Sequence, residues 1–149
     1  MLLRTHLAIG LAAALYFLPH ITHKASFVPV VLIASSLPEL GKMFSSKGII
    51  KILRVLKSPQ PLGGITRTYT VCILVSLALA FTYPFLAFPF FLGYSFNLFI
   101  NAFTPDGITP FWPLKKKSTG RVSPGSTIDY TIFIIFLFFD VALFIKLFL

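Results

Sequence analysis

Acidic residues are scarce in this chain: four among 149, namely Glu39, Asp106, Asp129 and Asp140. Charged residues of both signs make up only 11%, where a water-soluble domain carries about a quarter. A chain so poor in charge cannot cover a water-facing surface, which excludes an ordinary soluble enzyme and points to an integral membrane protein. Cysteine is reduced to Cys72, inside an apolar run. It can form no internal disulfide and no Cys-x-x-Cys metal site, so it reads as a small buried residue. Histidine is limited to His6, His20 and His23. The last two sit beside Lys24 and read as a wet loop rather than a metal pair. There is no Gly-rich phosphate loop before a soluble helix and no Ser nucleophile with a histidine in a recognisable setting. No internal repeat is visible.

Apolar length is abundant. Hydrophobic residues make up 56%, with eighteen phenylalanines, and mean hydropathy is +0.89. The predicted fold class is all-α: one membrane bundle of four to five transmembrane helices plus a basic amphipathic interfacial helix. A span needs about 17 residues or more. Residues 5–21, 66–83, 85–103 and 128–149 meet this, the middle two forming a hairpin punctuated by Pro84, with Pro89 expected to kink its second arm. Residues 27–40 are apolar but short and interrupted by Ser35, Ser36 and Pro38; they form either a span or a re-entrant segment, and the span is favoured. The first stretch has Arg4 and an apolar core but no small-x-small cleavage site, so a retained helix is read rather than a cleaved signal.

Residues 48–57, "GIIKILRVLK", are of another kind. Lys47, Lys51, Arg54 and Lys57 recur every three or four positions, with Ile49, Ile50, Leu53 and Leu56 between them. That pattern predicts a basic amphipathic helix in the headgroup region, contacting anionic lipid through those four cations. Basic residues also sort by side. With five spans, eleven of the thirteen fall on one face and Lys24 and Lys146 on the other. The positive-inside rule then places the N-terminus in the cytoplasm and the C-terminus outside, in a multi-pass protein of the cell membrane. The basic excess of +9 is read as topology and lipid contact; nucleic-acid binding is the weaker reading, because the cations are split between two loops.

That topology gathers the polar outliers at one depth. His6, Glu39, the "GGITRT" stretch with Arg67, the pair Asn97 and Asn101, and Asp106 all fall at cytoplasmic helix ends. Buried polar groups are costly unless paired, so these segments are expected to meet, with Asn97 and Asn101 sharing a helix face at i and i+4. Trp112 reads as an interfacial anchor. Asp140, in "FLFFDVALF", falls mid-span and is a functional candidate by default; it calls for a Ser or Tyr partner on another helix, or for a proton.

The stretches "RTHLAIGLAAAL", "SSLPELGK", "GGITRTYT" and "GYSFNLFINAFTPDGITPFWPLKKK" resemble, in order and spacing, the membrane-bound metal-dependent hydrolases, also described as LexA-binding, inner-membrane-associated hydrolases. That family is thought to be related to the zinc-dependent phospholipase C superfamily. The resemblance implies metal-assisted cleavage of a phosphoester, including one in a lipid. Position by position, most of the implied ligand set is altered. The Thr-His histidine is kept as His6. Leu-Pro-Asp-x-Asp becomes Leu37-Pro38-Glu39-Leu40-Gly41, His-Arg-Gly-x-x-His-Ser becomes Leu62-Gly63-Gly64-Ile65-Thr66-Arg67-Thr68, and His-x-x-x-Asp becomes Asn97-x-x-x-Asn101.

Catalytic zinc needs about three imidazole, thiolate or carboxylate ligands plus water. His6 and Glu39 are the residual candidates, with Asp106 a third only if its turn folds back. A fixed guanidinium at Arg67 opposes any divalent cation. We therefore expect no cofactor, with Arg67 in the former metal region, paired with Glu39 and donating to Asn97 or Asn101. Three function classes follow. The first is a catalytically impaired membrane relative acting by binding, with a protein partner on the cytoplasmic face, or as a structural subunit. The second is an active hydrolase with zinc or another divalent metal on an altered site. The third is a small transport-related protein using Asp140.

Overall fold

The computed structural model describes residues 3–45, 67–111, 114 and 116–149, with backbone alone at 38–45 and 148. Among the described residues the fold is all-helical, with five α-helices and no strand. They are α1 (Leu3–Phe17), α2 (Lys24–Ser45), α3 (Tyr69–Thr82), α4 (Pro84–Ala102) and α5 (Thr127–Phe148); a 3-10 turn, Leu18–His20, follows α1. The interfacial helix expected over 48–57, with Lys47, Lys51, Arg54 and Lys57, lies outside the described residues, as does Trp112.

Local chemistry sets most of the helix ends. Thr68 caps α3 by accepting a hydrogen bond from the Val71 amide at 3.3 Å, the arrangement that satisfies an otherwise orphaned helix donor. Pro84 takes the first turn of α4, where its missing N–H costs nothing and its fixed φ suits the helix. Ser126 caps α5 through the Asp129 amide at 3.4 Å, and Asp129 lies in the first turn, where a negative charge complements the helix dipole.

Two helix bounds differ from the expected ones. The segment expected over 27–40 is part of a 22-residue helix, Lys24–Ser45, longer than expected at both ends. The hydroxyls of Ser35 and Ser36 donate back to the Leu32 carbonyl at 2.8 and 3.2 Å. Such bonds satisfy the serine hydroxyls inside an apolar helix. Pro89, expected to kink the second arm of the hairpin, sits inside α4, which runs from Pro84 to Ala102. The third helix has 14 residues rather than filling 66–83, because the Thr68 cap fixes its start.

Ring and hydrogen-bond contacts give the helix directions. The rings of Phe17 and Phe88 lie 5.6 Å apart, and those of Phe27 and Phe88 6.0 Å apart. The end of α1 and the starts of α2 and α4 thus share one level. At the opposite level the Thr5 hydroxyl donates to Asp129 at 2.8 Å, which makes α1 and α5 parallel. Tyr69 and Cys72 of α3 reach the Ser95 and Phe91 carbonyls of α4, so that pair is antiparallel. The chain therefore runs up and down.

Near the first level Ala14, Leu15, Leu18, Phe27, Val31 and Leu92 form an apolar cluster. Further along, Ala34, Cys72, Tyr94, Leu98 and Ile108 form another. Between α2 and α4 the backbones nearly touch: a Cβ on Gly93 would fall 2.2 Å from the Val31 carbonyl oxygen. Small residues at crossings are how helices pack when burial from water supplies no drive.

Among the described residues two helices are long and apolar enough to cross a membrane: Pro84–Ala102 and, in α5, Thr127–Leu147. Apart from Asp129 and Asp140 the described side chains of α5 are exposed or half-buried, with Phe138 72% exposed. An apolar surface of Ile, Leu and Phe on that scale marks a face for hydrocarbon or for a protein partner.

Candidate functional site

The polar residues assemble at the level where α1, α3 and α5 begin and α4 ends. Asn97 is the hub. Its amide nitrogen donates to the Ser35 main-chain oxygen of α2. Its own side-chain oxygen accepts from the Asn101 amide nitrogen at 2.6 Å. Both asparagines are buried. The chain of bonds continues into the turn after α4, where Thr104 Oγ1 donates to the Asn101 carbonyl at 2.7 Å. Asn97 and Asn101 thus share a face, as their spacing predicts, and that face points inward.

His6 is 1% exposed. It stands one turn before Gly10 on the same face of α1. A Cβ on Gly10 would lie 3.0 Å from Ser35 Oγ, so this face of α1 is turned toward the stretch of α2 that Asn97 binds. Arg67 is buried at the entry to α3. One of its terminal nitrogens, Nη1, lies 3.5 Å from the Gly107 carbonyl oxygen and 4.0 Å from Asp106 Oδ2. The acid it approaches is therefore Asp106 of the Thr-Pro-Asp-Gly turn, while the pairing expected with Glu39 falls on a side chain outside the described residues. The Asp106 carboxylate is 62% exposed, so this ion pair contributes little, about 0–1 kcal/mol. Gly107 holds the turn at φ 63°, a left-handed conformation that only glycine adopts freely.

No family model, no curated protein and no solved structure matches this chain.

Among the described residues no three of His, Cys, Asp and Glu gather where they could hold a metal ion. The two amides are joined to each other and to a backbone carbonyl, and a permanent cation stands at the rim, where it would repel a second one. What the arrangement does is fasten helix ends together.

Spacing alone missed a second polar latch. Asp129 is 1% exposed. Its carboxylate accepts from Thr5 Oγ1 at 2.8 Å and from the Gly125 amide at 2.9 Å. The signal was present as Ser126-x-x-Asp129 just before an apolar run, the signature of a capped helix start.

Asp140 lies on the α5 stripe with Phe136 and Leu143, which pack against the Ile9–Ile100 and Leu15–Leu92 clusters. It is 5% exposed, and among the described residues neither carboxylate oxygen has a hydrogen-bond partner. The Ser or Tyr partner expected for it is not found there. Replacing a buried, unbonded polar group with an apolar one of similar size removes a desolvation cost of about 1–3 kcal/mol. Asp140→Leu should therefore raise the Tm of the purified protein in detergent. A Tm lowered by both Asp140→Leu and Asp140→Asn would instead mean that the carboxylate has a bonding partner.

Proposed function

We propose that this chain is a multi-pass membrane protein of four to five spans. We read it as a divergent relative of the membrane-bound metal-dependent hydrolases that acts by binding or as a structural subunit rather than by catalysis. The observation that carries the reading is the bond chain from Asn101 through Asn97 to the Ser35 carbonyl. At positions where the resemblance implies metal ligands, the side chains are neutral amides already engaged in holding α4 to α2. Supporting it are the two span-length helices, the apolar outer faces of α3 and α5, and the sorting of eleven basic residues to one side. That sorting argues for a cytoplasmic N-terminus. On this reading the polar end faces the cytoplasm, beside anionic headgroups and within reach of a protein partner.

Metal analysis of the purified full chain, expressed with zinc supplied, tests the reading. The expected result is no stoichiometric zinc, with content unchanged in His6→Ala. About one zinc per chain, lost in His6→Ala, would mean that a catalytic-type site survives and would restore the hydrolase reading.

A further inference from the structure

The turn after α4 leads into a loop that no part of the polar latch uses. Ile108 and Ser118 exchange two main-chain hydrogen bonds, at 2.9 and 2.8 Å, and so close it into a narrow-necked excursion. Gly120 N donates to the Thr104 carbonyl at 3.0 Å, and the Tyr69 amide at the start of α3 donates to the Pro110 carbonyl at 2.8 Å. Both sides of the neck are therefore tied to the helix bundle. Within the loop is a crevice of about 310 Å³ lined by Pro110, Phe111, Leu114, Lys116, Lys117 and Ser118. Its apolar lining is open, with Phe111 and Leu114 57% and 65% exposed. Its polar lining is two lysines and a serine, with no acidic residue among the described residues that line it.

We propose that this crevice binds the phosphate headgroup of an anionic phospholipid. Lys116, Lys117 and Ser118 face the phosphate, and Phe111 and Leu114 lie against the glycerol and upper acyl region. Two cations with a hydroxyl donor suit a phosphate anion, and the apolar lining suits what a lipid phosphate is attached to. The neck holds the lining in place before the ligand arrives, which lowers the ordering cost of binding. The loop begins within a few residues of a span-length helix, at the depth where lipid phosphates are the abundant anion. This inference rests on the membrane reading above, and it is separate from the lipid contact expected of residues 48–57.

The chain has a single tryptophan, Trp112, adjacent in sequence to Phe111, so its fluorescence reports on this loop alone. In vesicles holding the full chain, brominated phosphatidylglycerol should quench Trp112 more strongly than brominated phosphatidylcholine at equal mole fraction. Removing both lysines, as Lys116→Gln with Lys117→Gln, should lower the apparent preference about tenfold or more. Neutralising Lys47, Lys51, Arg54 and Lys57 together, or Lys24 alone, should leave it in place. Added salt should weaken the preference in the wild type without any variant. Equal quenching by the two lipids overturns the proposal. Loss of the preference on adding inorganic phosphate would assign the crevice to free phosphate and also overturns it. Failure of the wild type to float with neutral vesicles would remove the membrane reading itself, and is distinguished by that neutral-lipid arm.

Discussion

Gly93→Leu should abolish the folded state in detergent, and Gly93→Ala should lower stability by about 1–3 kcal/mol, the usual cost of overpacking. The reason is geometric. The first side-chain carbon at this position would fall 2.2 Å from the Val31 carbonyl oxygen and 3.1 Å from the Ala34 Cβ. The nearest obstacle is backbone, so no rotamer change relieves it, and α2 and α4 must separate. Separation would also pull the Ser35 carbonyl away from Asn97, one turn further along α4. Thermal unfolding followed by circular dichroism, with size-exclusion to detect aggregation, reads both variants. A Gly93→Leu protein with wild-type Tm would mean that the two helices do not approach as described.

The second large effect belongs to Asn97. Asn97→Leu removes the donor to the Ser35 carbonyl and the acceptor for the Asn101 amide. Each buried group left without a partner costs about 1–3 kcal/mol. The loss should exceed the average of about 0.6 kcal/mol found for single side-chain bonds between membrane helices, because two bonds are lost at once. Asn97→Asp should be worse than Asn97→Leu, since an ionised carboxylate would face a carbonyl oxygen with nothing to donate. A double-mutant cycle over Asn97 and Asn101 should give a clear coupling energy, as expected for groups in direct contact. Additive effects of the two changes would show that the amides do not act as a pair.

The parts of the fold legible in the sequence are those that local chemistry decides. Pro84 between two apolar runs marks the α3–α4 hairpin, and its position in the first turn of α4 follows from the lost N–H. The asparagine pair is readable because four residues bring side chains to one helix face. Less legible are features in which the partner is main chain. Arg67 was expected to seek a carboxylate and amide oxygens, and it reaches the Gly107 carbonyl as well as Asp106; no residue type announces a carbonyl's position. The length of α2 was hidden because Pro38 signals a break by propensity, whereas the helix runs through it to Ser45. The role of Gly93 could not be read at all, because a glycine needed for a backbone crossing looks the same as one that is merely tolerated.

The bond between Thr5 and Asp129 joins positions 124 residues apart. During synthesis α1 leaves the ribosome long before its carboxylate partner is made, and until then the Thr5 hydroxyl has to be served by water. The far end of α1 can pack on α2 and α4 through Ala14 and Leu15 before then, so it is the Thr5 end that stays untied until α5 arrives as the closing step.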